Sequence, residues 1–259
     1  MTITEFYDKI QKYAPIELSE KLCKKDGLYD NSGIIINAGE KELTGAAFML
    51  DLTLSGVEFA DRNGCNLIVT HHPAIYSPIK SVDANSAIGK CIALGITVVS
   101  MHLNLDCACR GTDYYFAKGL GGDNQLIAED FGKKTGYGRL FAIKKSKLGE
   151  LKERYKAEFN TERLEVYGNA ERDINKIASF CGAGLDDGAI AAAEDFGADL
   201  IVSADIKHHD LLAATENGFA VMNFTHYASE NYGMKKICET FAKENKDEKI
   251  IFFGNAGLA

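Results

Sequence analysis

The chain has 259 residues, 46% hydrophobic and 25% charged. That is enough to bury a core in one large domain or two small ones, and no apolar run nears the roughly 18 residues of a membrane helix. The 37 acids and 29 bases leave a net charge of −8, which argues against nucleic acid as a partner, because duplex binding neutralises phosphates with cations.

Strand-like and helix-like segments alternate along the chain. Residues 33–37, Gly-Ile-Ile-Ile-Asn, and 46–50, Ala-Ala-Phe-Met-Leu, read as buried strands. Residues 55–64 have helical spacing, 66–70 (Asn-Leu-Ile-Val-Thr) read as a strand, 86–94 as a helix, and 96–100 (Ile-Thr-Val-Val-Ser) as a strand. From about 132 to 167 the chain turns Lys- and Glu-rich, with a strand at 138–143 and a helix at 147–159. Strands at 176–180, 199–203 and 219–222 then frame helices at 188–196 and 209–217, and a helix from the Tyr232 region precedes a strand at 250–253. Several helices run into Gly64, Gly95, Gly197 or Gly218, the usual residue just past a helix end. Helix, glycine and strand repeated in this way predict an α/β fold with mostly parallel sheets. The expected organisation is two linked α/β lobes, residues 1–130 plus 225–259 forming the first and 131–224 the second.

The opening MTITEFYDKIQKYAPI lacks the apolar stretch of a secretory leader. The 7 cysteines contain no CxxC pair, Cys107 and Cys109 being separated by a single residue. They read as free thiols, mostly buried, and a reducing, cytoplasmic setting is expected.

The 6 histidines carry the strongest signal. Each follows a predicted strand within a few residues: His71 and His72 before Pro73, His102 before Leu-Asn-Leu-Asp106, His208 and His209 after Asp205, and His226 before Tyr-Ala-Ser-Glu230. In open α/β sheets, ligands bind beyond the carboxyl ends of strands. Imidazoles with carboxylates suit Zn, Mn, Fe or Ni rather than a thiolate zinc site. With Pro73 forcing a turn, His71 and His72 can serve different ions. With Thr225 as an N-cap, His226 and Glu230 share one helix face. Asp106 completes a set of metal ligands, His71, His72, Asp106, His226 and Glu230, that suits a dinuclear centre bridged by Glu230. Asp205 reads as an N-cap, Asp210 as a first-turn acid, and His208 as outside the ligand set or on the substrate side.

These motifs resemble the NIF3 family, also described as GTP cyclohydrolase 1 type 2 homologues. The resemblance rests on Gly-Cys-Asn-Leu-Ile-Val-Thr-His71-His72-Pro73, Met101-His102-Leu-Asn104-Leu-Asp106, Gly197-Ala-Asp-Leu-Ile-Val and His226-Tyr-Ala-Ser-Glu230, in that order over most of the chain. It implies a NIF3-like fold of two α/β lobes with the metal site in the cleft between them, a homo-hexameric toroid, and the same five ligands, with His102 beside them. The sequence departs from the family at Cys109-Arg110-Gly111-Thr112-Asp113, at Cys181-Gly182-Ala183-Gly184, and at Ala204 before Asp205. All three departures spare the ligand positions.

Two divalent ions per chain, zinc by default, lower the pKa of a bridging water towards neutrality. The expected activity is a metal-dependent hydrolase acting on GTP or another nucleotide-like substrate. Hydroxide would attack C8 of the guanine ring and release formate, with His102 as the catalytic proton carrier. Lys80, Arg110 and Lys207 are candidate cations for a triphosphate. A metal-binding scaffold or regulatory protein without turnover, and a phosphoester hydrolase, are the alternatives.

Overall fold

Helix α1 (Ile3–Tyr13) starts at a capping box: Glu5 N donates to Thr2 Oγ1 at 3.2 Å, and Thr2 N to Glu5 Oε2 at 2.8 Å. Its Ile3, Phe6 and Ile10 face is buried. The computed structural model describes residues 1–255, which fall into two compact units, Met1–Gly111 with the chain from Met234 onward, and Thr112–Gly233.

The first unit continues with α2 (Ile16–Asp26), β1 (Gly33–Ile36), β2 (Ala46–Met49), α3 (Leu54–Arg62), β3 (Leu67–Thr70), α4 (Ala87–Leu94), β4 (Thr97–Ser100) and the single turn α5 (Leu103–Asp106). The second unit contains α6 (Thr112–Gly119), β5 (Leu126–Gly132), β6 (Thr135–Lys147), α7 (Leu148–Glu158), β7 (Leu164–Tyr167), β8 (Asp173–Ser179), α8 (Asp187–Phe196), β9 (Leu200–Ala204), α9 (His208–Glu216) and β10 (Ala220–Phe224). Helix α10 (His226–Glu244) follows, counted with the second unit as far as Gly233 and with the first beyond it, and then β11 (Ile250–Phe252).

The first unit's sheet runs β1-β4-β3-β2-β11, parallel except for β1. Strands β2, β3 and β4 are buried at every position, as expected of parallel strands covered on both faces. Phe241 of α10 packs on Phe6, Tyr13 and Phe48 at ring separations of 5.7, 5.2 and 5.5 Å.

The second unit's sheet, β5-β6-β8-β9-β10-β7, corrects the expectation of mostly parallel pairing. Only β8, β9 and β10 pair in parallel, while β5, β6 and β7 join antiparallel. The β5–β6 turn sets both Lys133 and Lys134 at positive φ, 55° and 64°, the backbone that matches a hairpin's twist. Phe116, Phe159 and Phe224 form a ring cluster with separations of 4.9 to 5.4 Å in its core. Glycines Gly95 and Gly197 end α4 and α8 in the left-handed region, as their spacing predicts. Among the described residues, no helix is long and apolar enough to cross a membrane.

Candidate metal centre

In the first unit, β3 and β4 are parallel neighbours with Thr70 opposite Ser100. Strands lie about 4.8 Å apart, so residues leaving adjacent carboxyl ends meet. His71 and His72 leave β3, and their backbone N–H groups donate to Leu50 O at 3.1 and 3.0 Å. His102 leaves β4. The Thr70 and Ser100 hydroxyls lie 2.8 Å apart, and Ser100 Oγ accepts from Ala74 N at 3.0 Å, which fixes the turn at Pro73.

The three imidazoles converge. Their ring centroids lie 5.1 Å (His71–His72), 5.3 Å (His71–His102) and 5.7 Å (His72–His102) apart. One nitrogen from each comes within 4.8 Å of the others, a group able to hold a metal ion.

Each ring is oriented through Nδ1. His71, fully buried, donates from Nδ1 to Met101 O at 2.8 Å, His72 to Asp51 Oδ1 at 2.6 Å, and His102 to Asp30 Oδ1 at 2.8 Å. A carbonyl or carboxylate only accepts, so these bonds place the proton on Nδ1 and the lone pair on Nε2. That is the orientation of metal-ligating histidines. Asp106, on α5, is 5% exposed and places Oδ1 3.5 Å from His71 Nε2. Asn104 anchors this turn by donating to Ala14 O at 2.7 Å. Imidazole and carboxylate donors so arranged fit a borderline divalent ion such as Zn, Mn, Fe or Ni.

Sequence reasoning missed Asp51 behind His72 and, behind His102, Asp30. Burial pushes its carboxyl up, but hydrogen bonds from His102, Ser19 and Ser32 outweigh that and bring the pKa down to about 2. A depressed carboxyl contributes stability above its unfolded value near 3.8 and loses it as pH falls through about 2. Wild type is therefore expected to exceed Asp30→Asn by on the order of 2 kcal/mol above pH ~4.5. The gap should shrink steadily towards pH 2 in denaturant titrations; a gap independent of pH would count against this role.

In the second unit, Thr225 caps α10 as predicted, its Oγ1 accepting from Ala228 N at 3.1 Å. His226 and Glu230 then share one face, with Nε2 3.0 Å from Oε2. The expected N-cap role for Asp205 is not what the structure shows: Lys207 occupies the N-cap position of α9. Asp205 instead accepts from His226 Nδ1 at 2.9 Å, held in the left-handed region at φ 47°. Its conformation is one that Asp tolerates better than most residues.

Glu230 is 3% exposed and lies against the Cys181-Gly182 loop. Every backbone polar group of that loop is engaged. Cys181 N donates to Asp113 Oδ1 at 3.1 Å, and Cys181 O accepts from Tyr137. Gly182 N donates to Ser229 Oγ at 3.2 Å, and Gly182 O accepts from Ala204 N at 2.9 Å and Ser203 Oγ at 3.0 Å. Gly182 has φ 64°, and a Cβ there would stand 2.3 Å from Glu230 Oε1. Gly182→Ala is therefore expected to displace the Glu230 carboxylate and cost about 1–3 kcal/mol. A thermal melt indistinguishable from wild type would refute the fit.

His208 and His209 are exposed at the start of α9, and neither belongs to a potential metal-holding group among the described residues. Asp210 is buried in the first turn, its Oδ1 3.4 Å from His209 Nε2. Lys80, Arg110 and Lys207 are exposed. Cys107 is buried and Cys109 exposed, and neither is in a disulfide.

Fold and donors together define an α/β protein of two sheets with histidine and carboxylate groups, past its strand ends, that can hold metal. The family model for Duf34/NIF3 (NGG1p interacting factor 3) matches residues 1–256, and the chain belongs to that family. A GTP cyclohydrolase 1 type 2 homolog of Methanocaldococcus jannaschii is 30% identical, over 91% of this chain and 96% of its own. The Staphylococcus aureus hypothetical protein SA1388 shares the fold with a TM-score of 0.85 at 24% identity, covering 99% of this chain and 96% of that one. Reduced HcgD from Methanocaldococcus jannaschii superposes with a TM-score of 0.78 at 29% identity, covering 97% of each chain.

Proposed function

We propose that this chain is a dinuclear metal-dependent hydrolase acting on GTP or a closely related nucleotide. The observation that carries the reading is the histidine trio, each ring held by Nδ1 so that Nε2 bears the lone pair. His71, His72, Asp106, His226 and Glu230 are the ligands in this reading. When bound, two divalent ions supply Lewis acidity and a water acidic enough to ionise near neutral pH.

The chain's own part is orientation and proton transfer. Asp30 and Asp205 fix the rings of His102 and His226 from behind, and Asp51 does so for His72. His102 carries the proton in two successive hydrolyses. With Asp30 holding Nδ1–H, its Nε2 accepts a proton from a first water and returns it to N9 as the C8–N9 bond breaks and leaves a formamide on N7. It then does the same for a second water and N7 as the C8–N7 bond breaks and formate departs. The names of relatives such as the Methanocaldococcus jannaschii homolog support the nucleotide. The hexamer implied by the sequence resemblance belongs to the same reading and is checked by light scattering.

The test is metal content per chain together with formate release from GTP by the reconstituted protein. Two ions and metal-dependent formate support the reading. Two ions without formate or phosphate release would leave a binding scaffold, and a chain that retains no ion would overturn the whole proposal.

A further inference from the structure

Two tyrosines stand at the surface beside the histidine trio, Tyr29 at 55% and Tyr76 at 49% exposure. Tyr76 lies in the turn just after His71-His72-Pro73. Its ring meets Tyr29 edge to face at 5.6 Å and 86°, and on another side meets His102 at 6.4 Å and 86°. A single exposed aromatic needs no explanation. This pair is different because it is pinned.

Tyr76 Oη donates to Tyr29 O at 2.8 Å, and Asn31 Nδ2 donates to Ile75 O at 2.6 Å. Between and beside these contacts, Asp30 holds His102 Nδ1 at 2.8 Å and Ser32 Oγ accepts from His102 N at 3.0 Å. Four consecutive residues, 29–32, thus bind the aromatic pair and His102 into one assembly. Rings already fixed before a ligand arrives cost little ordering on binding. A half-exposed tyrosine face, fixed next to an imidazole, suits a flat heteroaromatic ring, which stacks on aromatic side chains whatever its substituents.

We infer that Tyr76, backed by Tyr29, is the stacking platform for the purine ring of the substrate, a base-binding contact next to His102. The inference rests on the nucleotide reading above and adds the residue that recognises the base.

The experiment uses the metal-loaded full chain as wild type, Tyr76→Phe and Tyr76→Leu, titrated calorimetrically with guanosine and with ribose 5-phosphate. Metal content and formate release are read on the same samples. The expected result is guanosine binding weakened about 10-fold or more in Tyr76→Leu and kept within about threefold in Tyr76→Phe, with ribose 5-phosphate affinity and metal content unchanged. Guanosine binding equal in wild type and Tyr76→Leu would overturn the platform, as would an equal loss in Tyr76→Phe, or a metal-loaded wild type that binds no guanosine. Formate release by wild type alongside any of these results leaves the hydrolase standing without the platform. Guanosine binding that depends on the Tyr76 ring, without turnover, leaves the platform and removes the hydrolase.

Discussion

Replacing Asp106 by asparagine is expected to lower formate release about a hundredfold or more, and to strip metal, while leaving the fold intact. Asparagine matches aspartate in shape, so α5 keeps its anchor at Asn104 and Ala14. What disappears is a buried negative charge with an oxygen 3.5 Å from His71 Nε2. Even groups that only orient a metal ligand cost 10- to 100-fold in affinity or activity when changed, and a ligand should cost at least as much. Metal-free wild type and Asp106→Asn should melt within a few degrees of one another. Added metal should raise the wild-type melt and leave the variant's nearly unmoved, because a ligand stabilises only the state that binds it. If Asp106→Asn holds two ions and makes formate at the wild-type rate, Asp106 is no ligand.

The second large effect lies away from the ligands. Arg139 and Asp113 form an ion pair at 3.1 Å with side chains 2% and 0% exposed. The guanidinium also donates to Gly136 O at 3.1 Å, and Asp113 accepts from Cys181 N. Removing one member of such a pair leaves a charge without its counterion where water cannot reach, at a cost of about 3–5 kcal/mol. Arg139→Met should therefore lose that much in denaturant titration. Adding Asp113→Leu should restore part of it, since an apolar pair is often as stable as a buried ionic one. Recovery should stop short of wild type, because the Cys181 N–H then loses its acceptor, worth about 1–3 kcal/mol. A single Arg139→Met variant as stable as wild type would show the pair to be dispensable.

Parts of this architecture are readable from residues. Strands β2, β3 and β4 are continuous β-branched or apolar runs, and the His226–Glu230 face follows from Thr225 and helical spacing. The convergence of His71, His72 and His102 follows from neighbouring strands ending together. What sequence cannot supply is the set of groups behind the rings. Asp30 lies 72 residues from His102 along the chain, and Asp51 and Asp205 each lie 21 from their partners. All three are loop residues outside any periodic pattern. Strands β5 and β7 are not marked by the sequence because they are partly exposed and lack an unbroken apolar run. Helices α1, α2 and α6 are also absent from the sequence-based expectation, although Thr2 with Glu5, followed by Ile3, Phe6 and Ile10, carries a capping box and an apolar face.

The split of the first unit along the chain sets an order of events on the ribosome. When residue 111 emerges, β2 still lacks β11 on its outer side, and Phe6, Tyr13 and Phe48 still lack Phe241. About 120 residues of the second unit must be made before those partners appear, on the order of ten seconds at typical elongation rates. Through that interval the nascent first unit carries an open parallel edge and an uncovered aromatic cluster, surfaces that pair readily with other chains. Holdase chaperones should accordingly engage stalled chains ending near residue 230 far more than released full-length ones, and synthesis speed through the second unit should govern the yield of folded protein.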